Sequence, residues 1–428
     1  MAVGNLDKIS QVSYHFIAMP KLPIYMDCHA TTPMDPRVLE VMGSCLREHF
    51  GNASSLNHPF GWQAQKLAER ARTQIARLIH ADSKEIVFTS GATESNNLAL
   101  KGIAEIYGEK GRHLITQVTE HKSVLDPARY LERHGFQVTY LPVDSYGQIR
   151  LDELERAITG KTILISIMAA NNEIGTLEPI EEIGRIAKEK GVLFHADAAQ
   201  AVGKIPVDVE KMGIDLLSFS AHKMYGPKGI GALYVRRKNP RVRLAPQIHG
   251  GGQEGGLRSG TLNVPAIVGF GEACEIAARE LETETERVLG LRTRLCEAVT
   301  RDLDEVTLNG HPRNRLAGNL NLSFSGVEGE SLLMSLSEEI AVSSGSACTQ
   351  ARIEPSYVLK ALGLAEDLVH SSIRFGLGRF NTEEEVDYTA RRVVQTVRRL
   401  REISPLYEKT GPGKKLERKP TLQEGIKK

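Results

Sequence analysis

A chain of 428 residues, with 54 Lys and Arg against 53 Asp and Glu and a net charge of +1, is long enough for two or three domains with ordinary cores. Its 41% hydrophobic and 25% charged residues are ordinary globular values, and neither a basic excess nor an apolar run of spanning length is present. Direct nucleic-acid binding and membrane insertion are therefore set aside. The stretch Met1 to Lys8 has neither a signal-peptide core nor an Arg-rich transit pattern, so a cytoplasmic protein is expected. Five cysteines, at 28, 45, 274, 296 and 348, are scattered without a C-x-x-C pair, which argues against a disulfide framework and against zinc. Cys45, Cys274 and Cys296 read as small buried hydrophobes.

From about residue 85 to 235 short apolar strands alternate with amphipathic helices, the pattern of a mostly parallel sheet covered on both faces. Strands are expected at Glu85 to Thr89, His113 to Gln117, Gln137 to Leu141, Thr162 to Met168, Leu193 to Asp197, Leu216 to Ser220 and Gly231 to Val235. Helical spacing of Ala, Glu, Leu and Arg over Pro265 to Thr300 predicts one long or broken helix joining two domains. Beyond it lies a smaller α+β pattern. Its strands fall near Val306, Asn319 to Phe324, Ile340 to Val342 and Ser372 to Phe375, with helices near Ser331, Pro355 and Thr382 to Arg401. The fold class is thus α/β, divided into an N-terminal segment (1–32), a large domain (33–278), a small C-terminal domain (279–407) and a disordered basic tail (408–428).

In sheets of this kind ligands gather at the carboxyl ends of the strands. Asp197 ends one strand, and Lys223 follows another 26 positions later, just before the glycine-rich Tyr225-Gly-Pro-Lys-Gly-Ile-Gly231. A carboxylate and an amine so placed suggest pyridoxal 5'-phosphate, the lysine holding the aldehyde and the aspartate keeping the pyridine nitrogen protonated. Ser90-Gly-Ala-Thr-Glu-Ser-Asn-Asn97 follows a strand and precedes a helix expected over Leu98 to Ile106. Its backbone N–H groups, near Ala92 and Thr93, and the Thr93 hydroxyl could take a phosphate, or Thr93 could simply cap the helix. Ser220 and His222 would add donors beside Lys223. His121 follows a further strand, where an imidazole could lie over a planar ring, although a lone histidine is more often structural. An amide at Asn172, or Gln200, could bond a phenolic oxygen, although a loop amide alone is usually a turn residue.

Ser343-Ser-Gly-Ser-Ala-Cys348 puts a thiol among small hydroxyl residues, reachable as a nucleophile or merely a tolerated loop cysteine. Arg374, a charge within the apolar strand Ser371 to Phe375, suits a bidentate grip on a carboxylate, or else a salt bridge. Serine-hydrolase look-alikes do not hold up. Ser220-Ala-His-Lys223 is followed within seven residues by Gly226-Pro227 instead of opening a helix, and no G-x-S-x-G exists.

The motifs Ala30-Thr-Thr-Pro33, Thr89-Ser-Gly-Ala-Thr-Glu94, Thr119-Glu-His-Lys122, Asn171-Asn-Glu-Ile-Gly175, Ser218 to Gly231, Arg258-Ser-Gly-Thr261 and Ser343 to Cys348 together resemble the cysteine desulfurases. The likeness is to the housekeeping iron–sulfur-cluster type within the class V aminotransferases, and it runs from about Leu22 to Pro405. It implies a homodimeric pyridoxal enzyme of fold type I, aspartate-aminotransferase-like, that converts L-cysteine to L-alanine and leaves the sulfur as a persulfide on Cys348. By the family pattern Lys223 carries the cofactor, Asp197 partners the pyridine nitrogen, Gln200 and Asn172 meet the phenolic oxygen, and His121 stacks on the ring. Ala92, Thr93, Ser220 and His222 would hold the phosphate, with Thr261 reaching in from the other subunit, while Arg374 and Asn52 would bind the substrate carboxylate. Either His121 or Lys223 would protonate the carbon fragment. The resemblance also implies an iron–sulfur scaffold protein and other sulfur acceptors as partners, with no resident metal, although Cys348 would touch a nascent cluster on a partner.

Overall fold

Runs such as Ile86-Val-Phe-Thr89 and Leu216-Leu-Ser-Phe-Ser220 are buried at every position, as strands must be when helices cover both faces of a sheet. The computed structural model describes residues 20–344, 355–404 and 407. In chain order the first half consists of β1 (Ile24–Tyr25), α1 (Pro36–Glu48), α2 (Pro59–Leu78), β2 (Ile86–Thr89), α3 (Ala92–Tyr107), β3 (His113–Gln117), α4 (Lys122–Arg133), β4 (Gln137–Leu141), α5 (Leu151–Ala157) and β5 (Thr162–Ser166). There follow α6 (Ile180–Lys190), β6 (Leu193–Asp197), β7 (Leu216–Ser220), β8 (Gly231–Val235) and α7 (Val264–Asp302). The remainder is β9 (Val306–Leu308), β10 (Asn319–Phe324), α8 (Gly329–Leu336), β11 (Ile340–Ala341), α9 (Tyr357–Ala361), α10 (Glu366–His370), β12 (Ser372–Gly376) and α11 (Glu383–Glu402).

The main sheet has the order β2-β8-β7-β6-β5-β3-β4. Strands β7, β6, β5, β3 and β4 pair in parallel, as expected, but β8 is antiparallel to both β2 and β7. Because β8 alone is reversed, the carboxyl ends of the other six strands share one edge. Alternation along each strand then supplies the two faces. Phe88, Leu217, Phe219, Ala232 and Tyr234 enter a core with Ile75 and Phe270, whereas Val87, Leu216, Leu233 and Val235 enter another with Leu100 and Ile103.

Helix α7 runs unbroken for 39 residues, so the broken alternative is excluded. It starts where Asn263 accepts from the Ala266 N–H at 3.2 Å, with Pro265 in the first turn. Its first half packs Ala266, Phe270 and Ala277 into the core of the main sheet, and its second half packs Val288, Leu295 and Val299 against Leu320, Phe324, Phe375 and Val393. Each interior glycine costs a helix roughly 0.5–1 kcal/mol relative to alanine. At Gly271 that cost is offset by close packing, since a Cβ there would lie 2.7 Å from Ala71 of α2. The second core also takes in Ile24 and Met26, because β1 pairs in parallel with β11. The expected basic tail lies outside the described residues, and no described helix is long and apolar enough to cross a membrane.

Candidate active site

The shared edge of the sheet gathers most of the residues singled out above. Asp197, last in β6, is buried, and its Oδ1 accepts from the Ala199 N–H at 3.0 Å. Its Oδ2 accepts from Asn96 Nδ2 at 2.7 Å, and the same nitrogen donates to Ser123 Oγ at 2.8 Å. Ser123 Oγ in turn lies 2.8 Å from His121 Nδ1, which also accepts from the Ser123 N–H at 3.1 Å. With Nδ1 an acceptor, the proton of the neutral ring belongs on Nε2. Burial pushes the His121 pKa down, Asp197 opposing and Lys223 reinforcing the shift, so the imidazole is neutral. Asn96 and Ser123 were not singled out from the sequence. Both lie inside or beside quoted motifs, but only the fold brings helices α3 and α4 together over Asp197.

The sequence predicts a helix from Leu98, with Thr93 as a possible cap. In the structure α3 begins at Ala92, so Thr93 sits inside the first turn and caps nothing. Gly91 is the boundary residue instead, at φ 153°, ψ 176°, a conformation open to glycine. A Cβ on Gly231 would lie 2.6 Å from Gly91 Cα, so the two glycines let β8 press against this turn. No side chain caps the helix from Gly91, and the Ala92 N–H donates to Ser220 Oγ at 2.7 Å. The result is a helix N-terminus, with its partial positive charge, opening beside a serine hydroxyl. Arg258 steadies the turn by pairing with Glu94 at 2.8 Å.

Lys223 follows β7, and its Nζ donates to the carbonyls of His29 (2.6 Å) and Ala30 (2.8 Å). His222 Nδ1 lies 3.1 Å from Thr31 Oγ1. Gln200 Nε2 donates to the same His29 carbonyl at 2.9 Å. Arg374 in β12 is buried and donates to Asp27 Oδ1 and to the Asn172 carbonyl, each at 2.8 Å. The salt-bridge alternative for Arg374 is therefore present, and the same guanidinium carries an Nε without a partner. Asn172 Oδ1 is likewise buried and unpartnered. Asn52 and Thr261 are exposed, and no hydrogen bond among the described residues ties either to this cluster. Cys348 lies outside the described residues. Cys28, left open by the sequence, is buried, and desolvation pushes its thiol up to about 12, which leaves it inert. No group of three or more metal-ligating side chains occurs among the described residues.

Burial also pushes His195 down to about 3, its ring held between Ser166 Oγ (2.8 Å) and Ser218 Oγ (2.9 Å). Desolvation, aided by Lys223, Lys228 and Lys204, takes His222 to about 4. A histidine depressed in the fold contributes stability above its unfolded pKa of about 6.5, and that contribution is lost as pH falls through the folded value. The stability gap between the parent and His195→Asn should therefore narrow between pH 6.5 and 3, by on the order of 1 kcal/mol per pH unit. Urea unfolding at pH 7 and pH 5 measures it, and a gap independent of pH contradicts the assignment.

The family model for class-V aminotransferases matches residues 24–389. The cysteine desulfurase IscS of Anaeromyxobacter sp. (strain Fw109-5) is 61% identical over 393 residues, which cover 92% of this chain and 97% of that protein. The human cysteine desulfurase is 57% identical over 418 residues, covering 96% of this chain and 91% of its own. Among solved structures, a NifS-like protein superposes with a TM-score of 0.83 at 42% identity, covering 89% of this chain and 100% of that one. SspA in complex with cysteine superposes at 0.75 with 41% identity, covering 84% and 100%. With likeness of this depth along nearly the whole of each relative, the chain belongs to the class-V aminotransferase family, in its cysteine desulfurase branch.

Proposed function

We infer that this protein is a cysteine desulfurase, which converts L-cysteine to L-alanine and takes the sulfur onto Cys348 as a persulfide. The observation that carries this reading is that Lys223 and Asp197 lie at one edge of the main sheet, that Arg374 of β12 reaches the Asn172 carbonyl in the segment after β5, and that Cys348 is close in sequence to a segment paired with β12. Ser343 pairs with Arg374, the Arg374 N–H donating to the Ser343 carbonyl at 2.7 Å. Cys348 follows five residues later, an extended reach of roughly 17 Å. On the far side, Ser356 donates to Glu173 Oε2 at 2.5 Å, and the Tyr357 hydroxyl donates to the Glu120 carbonyl next to His121.

Pyridoxal 5'-phosphate is the cofactor we assign, and bound it supplies an aldehyde for amines and a ring that stores the electron pair left at Cα. Residues present in the site fit such a group. The uncapped start of α3 with Ala92, Thr93, Ser220 and His222 suits a phosphate. Asp197, oriented by Asn96, suits a protonated pyridine nitrogen, and the flat neutral ring of His121 suits a stacking face. Gln200, through its Nε2, and Asn172, through its amide nitrogen, supply the donors that a phenolic oxygen takes.

Within this reading Lys223 would hold the cofactor's aldehyde, and its free amine would remove the substrate's Cα proton. The Cys348 thiolate then attacks the substrate sulfur. A new S–S bond forms as the C–S bond breaks, and its electron pair stays with the three-carbon fragment. To become alanine that fragment needs a proton at Cβ, balanced by the one that the substrate thiol gives up, and the return of a proton to Cα. His121 is neutral, with Nδ1 already accepting from Ser123, so Lys223, which has just taken a proton, is the better donor. Arg374, assisted by Asn52, binds the substrate carboxylate. Arg374→Lys keeps the charge but loses the planar fork, so KM for L-cysteine should rise about tenfold, the worth of roughly one charge-assisted hydrogen bond, with kcat changed less. Steady-state kinetics check it, and an unchanged KM moves the carboxylate elsewhere.

A homodimer accompanies this reading. Leu46, Phe50, Leu56, Phe60 and Trp62 are exposed at α1, α2 and the loop between them, an apolar surface of the kind a second copy covers, and Thr261 would then serve the partner's site. The division into a large domain over 33–278 and a small one over 279–407, a cytoplasmic location, and delivery of sulfur to an iron–sulfur scaffold or tRNA-thiolation carriers belong to the same proposal. Incubation with L-cysteine and a thiol reductant tests the core of it. Alanine and sulfide in equal amounts are expected, and a keto acid in their place would identify a transaminase.

A further inference from the structure

Behind the proposed phenolic-oxygen site lies a chain of buried contacts that the reaction, as described, does not use. Lys204 Nζ donates to Gln200 Oε1 at 3.0 Å. His29 Nδ1 lies 3.0 Å from that same oxygen, and Gln200 Nε2 donates back to the His29 carbonyl, which also accepts from Lys223 Nζ. Gln200 and His29 are both buried. An amide oxygen approached by a lysine must be the acceptor, because an ammonium can only donate. His29 Nδ1 must then carry the ring proton. Burial, with Lys204, Arg374 and Lys223 nearby, holds the His29 pKa well below its usual value, which keeps the ring neutral and leaves Nε2 the bare, unpartnered nitrogen.

Lys204 is an unusual residue to find here. The residue as a whole is half-buried, but desolvation of its ammonium pushes the pKa down to about 8, with Cys28 and Glu284 opposing the shift and Arg374 adding to it. Among the described residues no carboxylate lies within 4.0 Å of it. A desolvated ammonium without an ion partner costs stability, so the side chain reads as serving a position rather than the fold.

Resting on the reading that Gln200 faces the cofactor's phenolic oxygen, we propose that Lys204 is a positioning residue. Lys204 and the His29 Nδ1–H together occupy Gln200 Oε1, so that the amide presents only an N–H to that oxygen. Without Lys204 the amide is held only by its two contacts with His29 and turns over more readily, and a carbonyl facing the phenolic oxygen repels its anion. A donor on the anion lowers the proton affinity of the adjoining nitrogen linked to Lys223, and loss of the donor raises it.

The test is a pH titration of the visible cofactor band of the holoenzyme without substrate, in the parent and in Lys204→Met, Lys204→Arg and Gln200→Leu, with thermal unfolding as the control for folding. Lys204→Met should raise the midpoint by about one pH unit, a tenfold change in proton affinity, in the same direction as Gln200→Leu. Lys204→Arg should restore it. Should Lys204→Met not fold, Lys204→Gln, which removes the charge and the reach, reads the same midpoint. A shift in Gln200→Leu with none in the neutral Lys204 variants overturns the proposal and leaves the cofactor reading standing. No shift in either overturns both the placement of Gln200 and the role of Lys204.

Discussion

Lys223→Ala should abolish alanine formation, by at least about three orders of magnitude, because under the proposed function one amine would hold the aldehyde, take the Cα proton and return it. General acid–base help alone contributes roughly 10²–10⁴-fold, and loss of the covalent hold adds to that. The fold should survive. Lys223 is at the end of a strand, and its ammonium makes hydrogen bonds to the carbonyls of His29 and Ala30, not core packing contacts. The visible band of the purified protein should therefore be lost or moved to that of free cofactor, while the thermal unfolding profile of the apoprotein stays close to the parent's. An unaltered band in Lys223→Ala would place the covalent hold on another amine.

Cys348→Ala should act at a different step. The proposed cofactor site draws on the ends of β2, β3, β5, β6 and β7, none of which includes residue 348, so the visible band should be intact and should still respond to added L-cysteine. Turnover to alanine should fall by at least about two orders of magnitude, since without a thiolate acceptor the C–S bond has no nucleophile to break it. The two variants separate the two halves of the chemistry. In a transaminase or a selenocysteine lyase Cys348 is dispensable; persistent alanine formation in Cys348→Ala would favour the lyase, and a keto acid the transaminase.

Much of this site could be read from the sequence because strands buried on both faces are continuous apolar runs, and in parallel sheets their ends are where ligands bind. Strands such as His113–Gln117 and Leu193–Asp197 fall where the apolar runs predict. Strand direction is another matter. Gly231-Ala-Leu-Tyr-Val235 is as apolar as its neighbours, and composition does not say that it runs backwards. The signal was the short link from Ser220 to Gly231, which is too brief for a helical crossover. The start of α3 was hidden because Ser95 and Asn96 have poor helix propensity, yet burial against neighbouring elements holds them helical. Helix α2 leaves only a weak periodic signal in the sequence because its inward face is mostly alanine, Ala64, Ala68 and Ala71 beside Ile75. Asn96, Ser123, His29 and Lys204 matter through partners as many as 171 positions away, and no local pattern records such contacts.

The most direct test of the central claim is the mass of the peptide containing Cys348 after L-cysteine is added in the absence of reductant, measured together with alanine. The parent should carry one additional sulfur atom on that peptide for each alanine formed, and Lys223→Ala should carry none. Alanine formed without sulfur on Cys348, or sulfur loaded onto Cys348 when Lys223 is gone, would contradict it.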